Sequence, residues 1–112
     1  MMRAVVFAVI FGLGVAGAAA AQDAKVKKGM QVFTDQKCSL CHSIGEAGNK
    51  KGPLDEIGST LSADVIRQWI VDSKGMTEKS GATRKPVMKE FKLGKDEVDG
   101  LVAYLQTLKK KS

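Results

Sequence analysis

Cys38-Ser39-Leu40-Cys41-His42 is the stretch of this sequence that decides its fold. The two thiols are one helical turn apart, a spacing at which both can reach the vinyl groups along one edge of a haem. His42 then falls beneath the iron. A C-x-x-C-H run is the pattern typical of covalent haem c attachment. We therefore predict thioether bonds from Cys38 and Cys41 and axial ligation of the iron by His42.

Three other uses of this cysteine pair compete with haem attachment. A thioredoxin-type dithiol is expected within a βαβ pattern, which the sequence does not show. A zinc site needs four ligands, whereas Cys38, Cys41 and His42 are the only Cys and His residues of the chain. A structural disulfide is common in small exported domains, but a loop this short would constrain the chain little. Haem attachment is the favoured interpretation, with a dithiol or disulfide as the alternative.

The first 21 residues have the organisation of a secretory signal peptide. Arg3 supplies a short positive start, an apolar segment follows over residues 4–15, and small residues fill positions 17–21. We predict cleavage after Ala21 and export to the periplasm. The alternative is an uncleaved membrane anchor, because residues 4–21 carry no charge and are just long enough to span a bilayer.

Residues 22–112 would then form one domain, whose own core is marginal at 91 residues. Without Arg3, 17 Lys and Arg residues stand against 12 acidic residues, a net charge of +5. No clustered basic helix indicates nucleic-acid binding, and export would separate the protein from nucleic acid. We predict instead redox partner proteins with acidic docking surfaces. Contact with membranes is expected only transiently or through those partners, and the protein is expected to be a monomer.

Three helices are predicted from the period of apolar residues. The first covers about residues 24–36 and the second about residues 63–72, with Ser62 as its N-cap. The third covers about residues 95–109 and has the strongest amphipathic pattern. The apolar stripe of the first helix is predicted to contain Val26, Gly29, Met30 and Phe33.

The segments between the predicted helices are rich in Gly, Lys and Ser. Residues 43–60 and 73–94 are predicted to be long loops, and no strand pattern follows the signal segment. Loops of this length in a small domain usually carry function or are disordered. A haem offers a further explanation, because such loops can wrap its two faces.

A haem electron carrier with both axial positions filled commonly uses Met as its second ligand. After the signal segment the chain offers Met30, Met76 and Met88. Met30 lies on the predicted apolar stripe of the first helix and is expected in the core. Met88 follows Pro86, which restricts the backbone, and precedes Phe91. We predict Met88 as the ligand, with Met76 or an open, water-filled position as alternatives.

With these features, residues 25–108 resemble a small class I c-type cytochrome. The resemblance implies an all-α, cytochrome c-like fold, with about three main helices and long loops wrapped around one covalently bound haem. Lys89 is a departure, because many members have Pro directly after the ligating Met. The matching pieces are Gly29-x-x-x-Phe33, Cys38-Ser39-Leu40-Cys41-His42, Gly52-Pro53-Leu54, Lys85-Pro86-Val87-Met88-x-x-Phe91 and Leu101-Val102-Ala103-Tyr104-Leu105.

The resemblance also implies roles for single residues. Gly29 and Tyr104 would let the first and last helices cross closely. The carbonyl of Pro53 would accept the N–H of the axial histidine, and Met88 would bind iron. Trp69 would donate its indole N–H to a haem propionate or, as the alternative, fill the core.

Motif, signal segment and resemblance together predict an exported one-electron carrier rather than an enzyme. The alternatives are a haem c subunit permanently bound to an exported oxidoreductase and a haem protein with an open iron site. Lysines that flank the attachment motif and the Met88 segment are predicted to form the docking patch. They are Lys37, Lys50, Lys51, Lys85, Lys89 and Lys92.

Overall fold

The computed structural model describes residues 5–111 of the chain, with side chains from residue 17 onwards. The start of the predicted signal peptide, including Arg3, lies outside the described residues. Helices dominate the described part, as predicted. In chain order the elements are α1 (Val5–Asp35), a 3-10 turn (Cys38–Leu40), β1 (Ser43–Ile44), β2 (Ala47–Gly48), α2 (Ile57–Thr60), α3 (Ala63–Val71), α4 (Ser73–Ser80) and α5 (Lys95–Gln106).

The first and last helices, α1 and α5, cross at a pair of glycines. A Cβ atom added to Gly29 would lie 2.6 Å from the carbonyl carbon of Gly100 and 2.6 Å from Cβ of Tyr104. A Cβ atom on Gly100 would lie 3.0 Å from the backbone nitrogen of Gly29. This confirms the close crossing expected at Gly29 and Tyr104. It also explains a glycine inside α5, which costs roughly 1 kcal/mol relative to Ala.

The hydrophobic core forms where α1, α3 and α5 meet. Its members are less than a tenth exposed and come from the faces of these helices that point at one another. Phe33 and Tyr104 pack edge to face beside it, with ring centroids 6.0 Å apart. The buried apolar residues are Val32, Ile66, Ile70, Val98, Leu101, Val102 and Leu105.

The prediction for Met30 was wrong, because Met30 is 50% exposed. Gly29 faces α5, and helix geometry places residues three and four positions later on the same side. Those residues are Val32, which is 2% exposed, and Phe33, which packs against the core. The buried stripe of α1 is therefore rotated away from Met30 and centred on Val32.

The second predicted helix is confirmed as α3, and Ser62 caps it by accepting a hydrogen bond from the backbone N–H of Val65 at 3.3 Å. The third predicted helix ends three residues early, at Gln106. Beyond it the chain contacts α2: the N–H of Gly58 donates to the carbonyl of Leu108 at 2.8 Å, and Nζ of Lys109 donates to the carbonyl of Gly58 at 2.8 Å. The residues after Gln106 therefore form hydrogen bonds with α2 and do not continue α5.

Both predicted loops contain short regular elements. Residues 43–60 hold the β1–β2 hairpin, in which Gly45 has a positive φ of 60°, and the single turn α2. Residues 73–94 hold α4, which the prediction missed. Its signals are local: the Asp72 side chain accepts the N–H of Gly75 at 3.2 Å, and Gly81 ends the helix with a left-handed φ of 70°.

Within the described residues, no helix is both long and apolar enough to cross a membrane.

Candidate haem site

The attachment motif folds into a tight 3-10 turn directly after α1. Lys37 adopts a left-handed conformation, with φ 57° and ψ 39°, and ends the preceding helix. The N–H of Cys41 and the N–H of His42 both donate to the carbonyl of Cys38, at 3.1 and 2.9 Å. Side chains three residues apart eclipse in a 3-10 helix, so Cys38 and Cys41 share one face. That is the arrangement which two bonds to one haem edge require.

His42 is oriented by its backbone surroundings. Its Nδ1 lies 3.0 Å from the carbonyl oxygen of Gly52, and a proton on Nδ1 leaves Nε2 free to bind a metal. The acceptor is Gly52 and not Pro53, which corrects the expectation from the resemblance. Ser43 and Pro53 form a parallel bridge in which the carbonyl of Gly52 accepts the N–H of Ser43 at 3.1 Å. Since successive carbonyls alternate along an extended segment, that of Pro53 points elsewhere.

Burial lowers the pKa of His42, and the positive charge of Arg84 lowers it further, against the opposing effect of the bond to Gly52. Burial and the charge of Arg84 thus favour the neutral imidazole, the form that binds iron. Burial raises the pKa of the Cys38 thiol, while the nearby charge of Lys89 acts in the opposite direction. The Met88 segment thus approaches the attachment turn at Lys89.

Asn49 connects the attachment turn to the hairpin, a role that the sequence analysis missed. Its side-chain nitrogen donates to the carbonyl of Leu40 at 3.1 Å, and its backbone N–H lies 3.1 Å from the carbonyls of both Ser39 and His42. Its side-chain oxygen accepts the N–H of Lys51 at 3.0 Å. A loop Asn that bonds the backbone two residues later is a known turn signal, which was present in the sequence.

A cavity of about 690 Å³ opens beside the attachment turn. This volume is within the range of roughly 300–1,000 Å³ typical of cofactor pockets. Its wall is mainly apolar, and Cys38, Cys41, His42 and Met88 all line it. The apolar part of the lining includes Phe33, Leu54, Ile66, Trp69, Leu101 and Leu105.

The three candidate methionines differ in position. Met88 is half-buried and lines the cavity. Met76, on α4, and Met30, on the exposed side of α1, are not among the lining residues. Of the three methionines, the structure therefore brings only Met88 to the cavity that His42 lines.

Trp69, which is predicted to contact a propionate, and the two arginines Arg84 and Arg67 lie in different settings. Trp69 is half-buried and lines the cavity, which fits both a propionate contact and a packing role. Arg84 also lines the cavity and is exposed. Arg67 instead pairs with Asp99 at 2.8 Å, which joins α3 to α5.

The residues around the cavity fit a covalently attached haem. The two thiols share one face of a turn, a neutral imidazole follows them, and an apolar wall would receive the porphyrin. Imidazole and thioether are both established axial ligands of haem iron.

Comparison with known proteins agrees with this geometry. A family model for cytochrome c matches residues 26–109, three quarters of the chain. No curated protein and no solved structure matches the chain. The chain belongs to the cytochrome c family, whose members bind covalently attached haem c and use its iron for electron transfer.

Proposed function

We propose that the protein is an exported one-electron carrier whose haem iron is held between His42 and Met88. The observation that carries the proposal is that both side chains line the cavity which Cys38 and Cys41 border. When bound, the haem supplies a reversible couple between ferric and ferrous iron. With His42 and Met88 as its two protein ligands, the iron would offer no free position to a substrate.

The two proposed ligands have different chemical effects. His42 donates from an imidazole whose orientation is held by the carbonyl of Gly52. Met88 contributes a soft thioether, which favours the ferrous state and raises the reduction potential. The apolar wall adds to this effect, because a low dielectric disfavours the extra positive charge of ferric iron.

Export is supported by the exposure of the described residues on both sides of the predicted cleavage site. Side chains from Gly17 to Lys25 are all exposed. Cleavage after Ala21 would thus remove no packed side chain among the described residues. We propose that the mature chain begins at Gln22 and acts in the periplasm.

The proposed docking surface is the mouth of the cavity. Leu40 and Val87 line the cavity although they are 69% and 48% exposed, and Lys37 and Lys89 line it with exposed side chains. An apolar rim flanked by cations suits a redox protein with an acidic surface. Lys50 contributes less, because it pairs with Glu46 at 2.6 Å.

The first test is the mass and spectrum of the exported holoprotein. Its intact mass should show one haem on a chain that begins at Gln22. Its ferric form should show the weak red absorption band of methionine-ligated haem. Carbon monoxide binding to the reduced wild-type protein would instead indicate an open iron site.

Met76→Ala provides a matched control for Met88→Ala. Met88→Ala should abolish the red band, lower the potential and allow carbon monoxide to bind, while Met76→Ala should change none of these. The reverse result would assign the ligand to Met76. Purification in a stable complex with an oxidoreductase would favour the subunit alternative over a free carrier.

A further inference from the structure

The segment that carries Met88 has few directional contacts with the rest of the protein. Across the described part of the chain, residues 83–93 take part in no backbone–backbone hydrogen bond. One side-chain hydrogen bond connects this segment to the remainder: Oγ of Ser73 donates to the carbonyl of Lys89 at 2.9 Å. Lys89 directly follows Met88, so this bond acts one residue from the proposed ligand.

Ser73 is well placed to hold that carbonyl. It is the first residue of α4 and is fully buried, with 0% exposure. Its own carbonyl accepts the hydroxyl of Thr77 at 2.8 Å, and the side chain of Asp72 caps the same turn. The donor therefore belongs to a fixed turn, whereas the acceptor belongs to an irregular segment.

Other contacts of the segment do not supply the same constraint. The ammonium group of Lys89 lies 5.1 Å from the ring centroid of Phe91, but both residues belong to the segment itself. Met88, Phe91 and Leu93 are half-buried, and apolar burial has no preferred direction. A hydrogen bond fixes both distance and angle.

We propose that Ser73 is a positioning residue for the axial methionine: its hydroxyl holds the backbone of Lys89 and so keeps Met88 directed at the iron. This inference rests on the proposed ligation by Met88. Loss of the bond would raise the fraction of molecules in which Met88 has left the iron. An external ligand binds only that fraction, so its apparent affinity rises in proportion.

The test is an imidazole titration of the ferric holoprotein, followed through the red methionine band. Ser73→Ala should retain the band without imidazole but bind imidazole about two- to tenfold more tightly, the factor one hydrogen bond contributes to an equilibrium. Ser62→Ala is the matched control, because it also removes a serine hydroxyl that bonds the backbone near a helix start. It should lower the melting temperature and leave imidazole affinity unchanged.

Four results would overturn the proposal. One is unchanged imidazole affinity in Ser73→Ala, and another is an equal gain in Ser62→Ala, which would indicate general loosening. A wild-type protein without the red band would refute ligation by Met88 itself, which separates that failure from the first two. If Ser73→Ala gives too little holoprotein, Ser73→Cys keeps the side-chain size with a weaker donor and should gain at least about twofold. Wild-type affinity in that variant would also overturn the proposal.

Discussion

The two sides of the haem cavity are held in different ways. On the attachment side, residues 38–54 form a dense set of backbone hydrogen bonds that includes a 3-10 turn, a hairpin and the bridge from Ser43 to Pro53. On the methionine side, residues 83–93 have no backbone–backbone hydrogen bond within the described structure, and Ser73 supplies the one side-chain bond to α4. One proposed ligand thus lies beside a local network of hydrogen bonds, whereas the segment of the other has apolar burial and a single hydrogen bond from a residue distant in sequence.

This difference separates two requirements of an electron carrier. The proposed covalent attachment and His42 would fix where the iron lies, and a turn whose hydrogen bonds join residues close in sequence suits that role. The proposed contact of Met88 with the iron would tune its reduction potential, and single hydrogen bonds from α4 could adjust that contact. We therefore expect damage on the attachment side to affect the whole domain and damage on the methionine side to stay local.

The largest expected effect follows from removing the haem. Cys38→Ala with Cys41→Ala, produced without haem, should retain weak helicity and show no cooperative thermal transition. A small domain is stable by only about 5–15 kcal/mol, and the residues around the cavity would lose their shared apolar partner. Circular dichroism checks this, with the wild-type holoprotein as control. A sharp transition in the apoprotein would show that the protein core is sufficient alone.

Gly29→Ala should give the next largest effect. It should destabilise the attachment side and the methionine side of the cavity to the same extent. The added methyl group would meet the backbone of Gly100 and the side chain of Tyr104, at a cost of about 3 kcal/mol, the upper end for overpacking. Denaturant unfolding should show the red band and the haem environment lost at one lowered midpoint. Gly94→Ala, whose methyl would meet only Oε1 of Glu97 at 3.6 Å, should cost less than about 1 kcal/mol. If the red band is lost before the domain unfolds, the crossing of α1 and α5 does not support both sides of the cavity together.

Asn49→Ala tests the attachment side on its own. The substitution removes two side-chain hydrogen bonds, to the carbonyl of Leu40 and from the N–H of Lys51, and should cost about 1–3 kcal/mol of unfolding free energy. Imidazole affinity should not change, in contrast to Ser73→Ala. Thr34→Ala, which loses an exposed bond within α1, should stay within about 0.5 kcal/mol of the wild type. A gain in imidazole affinity from Asn49→Ala would show that the attachment side also controls whether Met88 stays on the iron, which contradicts the distinction between the two sides.

The same contrast explains which features could be predicted from the sequence. The attachment motif is contiguous, so its turn and its cysteine geometry follow from spacing. The long helices follow from periodicity, and α5 buries one face, as the amphipathic pattern of the third predicted helix indicates. Contacts between distant residues gave no such pattern: the bond from Ser73 to Lys89 spans 16 positions, and the partner of Gly100 lies on another helix.

Two errors have simple physical origins. The apolar pattern predicts Met30 in the core, but hydrophobicity alone does not determine which face of a helix meets its neighbour; the crossing at Gly29 does. The resemblance assigns the acceptor for His42 to Pro53, one residue too late: carbonyl direction alternates along the extended chain, and it is the carbonyl of Gly52 that meets the ring. In both cases the residue types indicated the right segment, and the local geometry determined which residue of that segment is buried or accepts the hydrogen bond.

The smallest structural effect is expected from charge reversal at the cavity mouth. Lys37→Glu with Lys89→Glu joins the two sides of the cavity in one test, because these lysines flank the proposed docking surface from opposite segments. Electron transfer to an acidic redox partner should slow by roughly tenfold at low salt, while the potential hardly changes.

The control is Lys25→Glu with Lys27→Glu, two exposed positions roughly 12–15 Å before the end of α1, at 1.5 Å per residue. Since 0.1 M salt shortens the screening length to about 10 Å, the difference between the two variants should shrink as salt is added. Equal losses in both variants, or rates that ignore salt, would leave the mouth of the cavity as ordinary solvated surface.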